Sequence, residues 1–498
     1  MTAMLRALVA ASLLTTVAGA EIRLPALFGD HMVVQRDVPV HVWGWAEPGE
    51  AVAVEFRGQG ASTVAAEDGR WEVYLSPVSA GGPFRLVVEG GQRIAFEDVH
   101  AGDVWVGSGQ SNMVWPLQRS RDAEREIAAA QHPGIRYFKV ALATAGTPLD
   151  DLEGEWRVVS PETAGELSGV GYFFARHLHK RLGVPVGIVQ SAWGGTPAES
   201  WTSARTLSED PALAGIPAGF AAEAKAEEAA YAERLAAWQE RSAAAEASGQ
   251  EPPRRPSPPR TLRPQNAPGA IFNAMVAPLL PYAIRGAIWY QGENNAQRGQ
   301  GRLYRRLFRA MIEDWRRAWG IGPFPFLFVQ LANYGRVAEQ STWPELREAQ
   351  AMALGLANTG MAVTIDIGNP TDIHPTNKQD VGLRLALAAR AVAYGERDLE
   401  HSGPRFRQAT REPAGLRLWF DHAGGGLEAR GGRLEGFEVA GRDGKFVPAQ
   451  ASISGSTVLV SSASVQRPAR VRYAWAADPR GNLYNHAGLP ASPFQTAE

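Results

Sequence analysis

Both ends of the chain alternate apolar and polar residues over short stretches that Pro and Gly separate. A repeat of two residues is typical of strands with one buried face. The pattern therefore predicts β-rich, sandwich-like accessory regions over residues 21–98 and 401–498. The clearest stretches lie at 38–45, 51–56, 70–75, 416–420, 456–462 and 469–475.

The middle of the chain, residues 99–400, has a different pattern, because apolar runs alternate with segments of helical periodicity. Strands that alternate with helices indicate βαβ units and a parallel sheet covered by helices on both faces. We therefore predict an α/β domain here. Its strands are predicted at 186–190, 283–291, 326–332 and 361–366, and its helices at 172–182, 303–319, 344–354 and 378–393.

An insertion over residues 205–265 interrupts this alternation. Residues 221–247 are rich in Ala and Glu, which favour helix, and the segment EPPRRPSPPR at 251–260 follows. Proline stiffens such a segment into an extended form. We predict a surface insertion made of a helix and an extended segment, with a disordered spacer as the alternative.

The first twenty residues have the pattern of a secretory signal peptide. Arg6 gives a positive start, an apolar run follows, and Ala18-Gly19-Ala20 offers small residues for a peptidase. The apolar run is shorter than the ~20 residues that cross a bilayer as a helix. The sequence predicts cleavage after Ala20, a secreted or periplasmic protein, and no membrane association after cleavage.

Composition and charge exclude several classes of partner and of active site. A chain of 498 residues is long enough for several domains. Its formal net charge of −2 gives no reason to expect a nucleic acid partner, so a neutral or small ligand fits better. The chain has no cysteine, which excludes disulfides, thiolate nucleophiles and cysteine-based metal sites. We expect neither a metal nor an organic cofactor.

Polar, glycine-rich turns follow four of the predicted strands. In a sheet of this class, sites form at the carboxyl ends of the strands. These turns are therefore the candidate site. They are GSGQSNM at 107–113, SAWGGTPAESW at 191–201, YQGENNA at 290–296 and DIGNPTDIHP at 366–375.

The first turn supplies a candidate nucleophile. Ser111 lies just beyond a predicted strand, and Ser108 is a less favoured alternative. The segment is not a G-x-S-x-G elbow, because Met113 occupies the last glycine position. A serine hydroxyl needs an adjacent base to attack an ester.

The candidate base is His374, one of ten histidines. It follows a strand end and has Asp372 two residues before it and Asp366 eight residues before it. A carboxylate on one ring nitrogen fixes the tautomer and stabilises the imidazolium that forms during acyl transfer. The chain order Ser, Asp, His is that of other α/β serine hydrolases.

A tetrahedral oxyanion needs hydrogen-bond donors, and three turns offer them. The candidates are the backbone N–H of Ser111, that of Gly194 or Gly195, and the side-chain amide of Asn294. Together with Ser111 and His374 they make up the parts of an acyl-transfer site.

The motifs GQSNM, WGGTPAESW, WYQGENNA and DIHPTNKQDVG, in that order, resemble the sialate O-acetylesterase family and related carbohydrate acetylesterases with the SGNH-hydrolase fold. The resemblance covers most of the chain, including residues 24–50 and 481–494. It implies that Ser111 is the nucleophile, His374 the base and Asp372 its partner. It also implies that Gly195 and Asn294 complete the oxyanion hole beside Ser111.

The sequence departs from the wider SGNH pattern at two places. That pattern has D-x-x-H, whereas Thr371 stands three residues before His374, so Asp366 or Glu293 is an alternative orienting acid. The usual G-x-N-D block reads Gly-Glu-Asn-Asn at 292–295, which allows Gln291 or Glu293 a part in the site.

The resemblance implies hydrolysis of acetyl esters on sugars, by way of an acetyl-enzyme. The sugar is acetylated sialic acid or a plant polysaccharide such as xylan or xyloglucan. Aromatic faces stack on sugar rings, although tryptophan is often core. A non-catalytic carbohydrate-binding protein and a general short-chain esterase or lipase are the alternatives. The residues predicted to bind substrate are Gln110, Trp115, Trp193, Gln291 and Glu293.

Overall fold

The computed structural model describes residues 21–496. The predicted signal peptide at 1–20 lies outside the described residues. Within 21–496, no helix combines the length and the apolar character needed to cross a membrane.

The N-terminal region is built from strands, as the alternating pattern predicts. The three alternating stretches of the sequence form the second, third and fifth of them. The strands are β1 (Val33–Gln35), β2 (Val40–Trp45), β3 (Ala51–Phe56), β4 (Gln59–Val64), β5 (Arg70–Leu75), β6 (Gly81–Glu89) and β7 (Arg93–Gly109).

One long strand, β7, connects this region to the rest of the molecule. Its first part pairs antiparallel with β6 and parallel with β1, and its second part lies in the central sheet. The boundary predicted between residues 98 and 99 falls inside this strand. The N-terminal strands are therefore joined to the central sheet through continuous backbone.

The central sheet has the strand order β13-β12-β11-β7-β10-β8-β9. All its neighbouring pairs are parallel except that of β8 and β9, which is antiparallel at one edge. The α/β fold class is confirmed, with a mixed rather than purely parallel sheet. The strands introduced here are β8 (His132–Lys139), β9 (Trp156–Val159), β10 (Val186–Ala192), β11 (Gly286–Tyr290), β12 (Phe326–Val329) and β13 (Thr359–Ala362).

Helices flank this sheet, and the four helices that the periodicity predicts are present as α3, α7, α8 and α9. The helices are α1 (Ser111–Val114), α2 (Ala123–Ala128), α3 (Gly169–Leu182), α4 (Ala204–Glu209), α5 (Gly215–Ala247), α6 (Glu293–Gln297), α7 (Gly301–Trp319), α8 (Trp343–Met352) and α9 (Lys378–Val392). Short 3-10 turns lie at Leu117–Arg119, Ala164–Glu166, Ala198–Trp201, Arg260–Leu262, Pro264–Asn266, Ala277–Leu279 and Ala353–Gly355, and a π-helical turn at Phe272–Val276.

The helix boundaries have local causes. The Ser168 hydroxyl accepts the N–H of Gly171 at the start of α3, and the Asn377 side chain accepts the N–H of Asp380 at the start of α9. Helix α3 ends where Gly183 takes a left-handed conformation, with a φ of 67°. Helices α3 and α9 pack against each other, as do α7 and α8.

The insertion contains α4, α5 and a proline-rich segment that lies against α5. The indole of Trp238 donates to the carbonyl of Pro253 (2.7 Å), and the Tyr231 hydroxyl donates to that of Pro256 (3.2 Å). Arg260 pairs with Glu223 at 2.7 Å. The proline-rich segment therefore runs back along the helix.

The C-terminal region is β-rich, as predicted. One sheet has the order β14-β15-β20-β19, a second has β18-β17-β21-β23, and β16 pairs with β22. The strands are β14 (Arg405–Glu412), β15 (Gly415–Asp421), β16 (Leu427–Ala429), β17 (Phe437–Ala440), β18 (Val447–Pro448), β19 (Gln450–Ser454), β20 (Thr457–Ser461), β21 (Arg470–Tyr473), β22 (Leu483–Asn485) and β23 (Phe494–Gln495).

The last strand of the central sheet is shorter than its apolar run. The sequence predicts a strand over 361–366, whereas β13 begins at Thr359 and ends at Ala362. Beyond Ala362 the Thr364 hydroxyl donates to the carbonyl of Gln330 (2.6 Å), outside the strand ladder. The prediction was wrong about these bounds, and the chain reaches the turn that carries His374 earlier than expected.

Candidate active site

The turns after β7, β10 and β11 meet at the carboxyl edge of the sheet. The N–H of Gln110 donates to the carbonyl of Tyr290 (2.9 Å), and the N–H of Trp193 donates to that of Gly109 (3.0 Å). Gly109 has a φ of 132°, and a Cβ there would lie 2.1 Å from the Tyr290 carbonyl oxygen. Only glycine allows β7 and β11 to approach this closely, which brings their turns together.

Ser111 is the first residue of α1 and is half-buried. Its Cβ lies 3.4 Å from the position that a Cβ on Gly194 would occupy, so the β10 turn passes directly beside it. The alternative nucleophile, Ser108, lies within β7 and is 0% exposed. A substrate can therefore reach the surface at Ser111 but not the hydroxyl of Ser108.

The turn that carries His374 is held against the segment of Ser111. The Asn112 amide donates to the carbonyl of Ile373 at 3.0 Å. The His374 imidazole stacks on Trp115 with ring centroids 4.8 Å apart and planes inclined by 16°. The residue after Ser111 thus contacts the residue before His374, and the two candidate residues come from adjoining segments.

Asp372 is the carboxylate nearest to the His374 ring among those proposed from the sequence. Its Oδ1 lies 3.6 Å from Nδ1 of His374 and accepts the backbone N–H of the same residue at 2.9 Å. Its side chain is 54% exposed. The alternative Asp366 instead makes a two-pronged ion pair with Arg384 (2.6 and 2.7 Å).

The surroundings of His374 favour its neutral form. Burial lowers the pKa of the imidazole, the positive charges of Lys378 and Arg119 lower it further, and Asp372 opposes them. A neutral imidazole can accept a proton from a hydroxyl. The ring is therefore in the state that a general base requires over a wider pH range than an unperturbed histidine.

Asn294 and Gly195 lie together at the edge of the site. One amide hydrogen of Asn294 donates to the carbonyl of Gly195 (2.7 Å), and its Oδ1 accepts from Arg298 (3.3 Å). The N–H of Asn294 donates to Gln110 Oε1 (3.3 Å). These contacts fix the Asn294 side chain and leave its second amide hydrogen available.

Three residues predicted to bind substrate lie below the surface instead. Gln110, Gln291 and Glu293 are 3%, 0% and 2% exposed. The Gln291 amide donates to Asn295 (2.7 Å) and accepts from Tyr304 (2.8 Å). Their side chains bond to protein groups and support the turns, and direct substrate contact by these three stays a prediction.

The four tryptophans that lie in or beside the four motifs divide into two groups. Trp201 and Trp289 are 0% exposed and belong to the core. Trp115 and Trp193 are half-buried at the site. Only the second pair offers a surface to a ligand.

The sequence reasoning missed two contributors. Asn112 lies inside the quoted GQSNM motif, but its place behind Ser111 appears only in three dimensions. Lys378 is 0% exposed, and its ammonium donates to Asn112 Oδ1 at 2.6 Å. Its position in a polar run, PTNKQD, suggests a solvated lysine, so the sequence carries no signal of its burial.

One group of the described residues brings metal-binding side chains together. Ligand atoms of Glu400, His401 and His422 lie within 4.8 Å of one another, at the start of the C-terminal region. Glu400 and His422 already form an ion pair at 2.8 Å. None of the candidate active-site residues belongs to this group.

Residues 269–393 match the family model "Carbohydrate esterase, sialic acid-specific acetylesterase". The chain is 31% identical to the sialate O-acetylesterase of Mus musculus over 96% of this chain and 94% of that protein. Against the Homo sapiens sialate O-acetylesterase the identity is 32%, over 78% of this chain and 74% of that protein.

A solved structure agrees with these relatives. The crystal structure of a carbohydrate acetylesterase from Xanthomonas citri superposes with a TM-score of 0.83 and 41% sequence identity, over 96% of this chain and all of that chain. The prediction of a carbohydrate acetylesterase is confirmed. The chain belongs to the sialate O-acetylesterase family and is a carbohydrate O-acetylesterase.

Proposed function

We propose that the enzyme removes acetyl groups from sugar hydroxyls with Ser111 as nucleophile, His374 as general base and Asp372 as the acid that orients it. The observation that carries this proposal is the contact between the two segments. Asn112 binds the carbonyl of Ile373, which sets the residue after the nucleophile against the residue before the base.

The reaction has two halves. Asp372 lies beside Nδ1 of His374, which leaves Nε2 as the nitrogen that takes the Ser111 proton. The serine oxygen then bonds to the acetyl carbon, the bond between the acetyl carbon and the sugar oxygen breaks, and the imidazolium returns its proton to the sugar oxygen. In the second half His374 takes a proton from water, which attacks the acetyl carbon. The bond from that carbon to the serine oxygen then breaks, the imidazolium returns its proton to Ser111, and acetate leaves.

The developing oxyanion is stabilised by donors from three turns. They are the backbone N–H of Ser111, the N–H of Gly195 and the free amide hydrogen of Asn294. Gly195 has a φ of 75° and is exposed, so its backbone can approach a ligand closely. A site of this kind needs donors fixed before the reaction, and the contacts of Asn294 with Gly195 and Arg298 provide that.

The substrate is an acetylated sugar whose ring stacks at the rim of the site. Trp115 and Trp193 supply the half-buried aromatic surfaces for it. The Arg119 guanidinium lies 4.7 Å from the centre of the Trp115 ring and places a positive charge at this rim. That charge favours an anionic sugar, such as acetylated sialic acid, over neutral xylan or xyloglucan fragments.

Acetate release tests the proposal. Ser111→Ala should lose almost all activity on p-nitrophenyl acetate and on acetylated sugars, whereas Ser108→Ala, at the buried alternative, should retain it. Full activity in Ser111→Ala would refute the assignment. A comparison of O-acetylated sialic acid with acetylated xylo-oligosaccharides identifies the sugar.

Export belongs to the same proposal. Residues 1–20 have the charge, apolar run and small residues that a signal peptidase recognises. The N-terminus of the mature protein should be Glu21. A mature protein that still contains Arg6 would refute export by this route.

A further inference from the structure

A buried group of three polar side chains lies behind Ser111 and His374. Asn112, Glu293 and Lys378 are 2%, 2% and 0% exposed. They come from three separate segments, namely α1 after β7, the first position of α6 after β11 and the first position of α9. Charged residues are rarely buried to this extent without a specific partner.

Asn112 connects the two charged side chains of this group. The Lys378 ammonium donates to Asn112 Oδ1 (2.6 Å), and the amide nitrogen donates to Glu293 Oε1 (2.6 Å) and to the carbonyl of Ile373 (3.0 Å). The amide therefore uses its oxygen and both of its hydrogens.

The two charges determine which way round the amide lies. With its oxygen towards the ammonium and its nitrogen towards the carboxylate, each contact is favourable. A flipped amide would set N–H against the ammonium and oxygen against the carboxylate. The charges of Lys378 and Glu293 thus select one orientation, and that orientation directs an N–H towards Ile373.

We propose that Lys378 is a positioning residue that, with Glu293, orients Asn112 and thereby fixes the spacing between Ser111 and His374. Asn112 directly follows the nucleophile, and Ile373 directly precedes the base. The inference rests on the proposed function, since it assigns a purpose to the spacing of these two residues.

The free-energy cost of burying Lys378 and Glu293 supports a role for them in orienting Asn112. Burying a charged pair costs desolvation energy, and apolar residues of similar volume often stabilise a fold equally well. Here burial lowers the pKa of Lys378 to about 7 and raises that of Glu293. Glu293 Oε2 has no hydrogen-bond partner among the described residues. Burial thus disfavours the charged form of both groups, so stability alone does not explain why they are retained here.

Two variants separate positioning from simple neutralisation. Lys378→Met leaves Glu293 as a buried, unpaired acid and should lower both the melting temperature and kcat. The double variant Lys378→Met/Glu293→Gln has no buried charge and should recover most of the melting temperature. Because no charge then selects the orientation of Asn112 and only the Ile373 carbonyl still favours it, its kcat should stay about 100-fold below the parent, with KM nearly unchanged.

Recovery of kcat together with the melting temperature in the double variant would overturn the proposal, because Lys378 would then only neutralise Glu293. If Lys378→Met does not fold, Lys378→Gln provides the single-variant comparison, since it keeps a donor without a charge. It should fold and show a kcat between those of the parent and the double variant. A kcat equal to the parent's would overturn the proposal.

The pH profile of kcat/KM is a further measurement. It would not change if Lys378 only stabilised the fold. The groups that act on the His374 ring are Asp372, Arg119 and Lys378, with Trp115 stacked on it. Loss of the Lys378 charge should move the acidic limb of kcat/KM to higher pH, because that charge lowers the pKa of His374. An unmoved limb in the double variant would count against the proposal, because the Lys378 charge would then not act on the site.

The control removes a partly buried ion pair elsewhere. Glu126→Gln/Arg176→Met, between α2 and α3, should leave kcat and the pH profile unchanged.

Ser111→Ala distinguishes failure of the proposed function from failure of the positioning role of Lys378. If Ser111→Ala retains activity, the proposed function fails. If it is inactive while the Lys378 double variant is fully active, only the positioning role fails.

Discussion

The imidazole of His374 lies almost flat on the indole of Trp115, with ring centroids 4.8 Å apart. Trp115 follows Ser111 by four residues, so one short segment carries the candidate nucleophile and supports the candidate base. The indole N–H is also fixed, because it donates to the carbonyl of Arg119 at 2.9 Å. Trp115 therefore supports the candidate base from the segment of the candidate nucleophile.

This stack changes what Trp115→Ala should do. The sequence alone suggests a rise in KM for acetylated sugars. Since the ring supports His374, we expect kcat to fall about 100-fold, and for p-nitrophenyl acetate as well as for sugars. Steady-state kinetics on both substrates checks this.

Trp193→Ala is the matched comparison. Trp193 is half-buried at the same rim, but no ring contact joins it to His374 among the described residues. Its loss should raise KM for acetylated sugars by about 10-fold, as expected for one lost stacking contact, and leave the aryl acetate unaffected. Equal effects of the two substitutions on both substrates would contradict separate roles.

The pH profile should reflect the lowered pKa of His374. A general base works when it is unprotonated, so a lower pKa extends activity to lower pH. We expect the acidic limb of kcat/KM to lie below the usual histidine value of ~6.5. Arg119→Gln removes one of the charges that lower this pKa and should move the limb to higher pH.

Salt provides an independent check on that shift. Arg119 is exposed, so its effect on His374 should weaken as ionic strength rises. The parent and Arg119→Gln profiles should therefore converge in high salt. Profiles that differ equally at all salt concentrations would show that Arg119 acts through structure and not through charge.

Asp372 and Asp366 should differ in what their loss affects. Asp372→Asn removes the negative charge that raises the pKa of His374, so the acidic limb should move to lower pH while kcat falls about 10-fold to 100-fold. Asp366→Asn leaves the largely buried Arg384 without its ion pair and should cost about 3 kcal/mol of unfolding free energy.

Melting temperatures and pH profiles of both variants give the measurement. Asp366→Asn should lower the melting temperature and leave the pH profile unchanged. A shifted pH profile in Asp366→Asn, with none in Asp372→Asn, would assign the orienting role to Asp366.

Periodicity was sufficient to predict the α/β class and most elements, because repeats of two and of about four residues report burial directly. It could not predict β9, the antiparallel edge strand, or that β7 continues through residues 98 and 99. It also placed the last central strand too late. Such features depend on pairing partners that are distant in sequence.

The placement of the candidate site residues could be predicted only in part, for the same reason. Ser111, His374 and Asp372 follow strand ends, and the topology of the sheet brings such turns together. Gln291 and Glu293 follow a strand end too, yet their side chains turn inward. Residue type and spacing do not record which way a side chain points, so the burial of Lys378 could not be predicted.

Asn294 offers the sharpest test of the oxyanion site. Its amide has one hydrogen bound to Gly195 and a second that is available, and Arg298 holds its oxygen. Asn294→Ala should lower kcat by about 100-fold to 1000-fold, the loss typical of one oxyanion donor. KM should change little, because the donor acts mainly on the charge that develops in the transition state. Asn294→Asp keeps the size but sets a negative charge where the oxyanion forms, so it should be the slower of the two. An Asn294→Asp enzyme as active as the parent would show that this side chain does not face the reacting carbonyl.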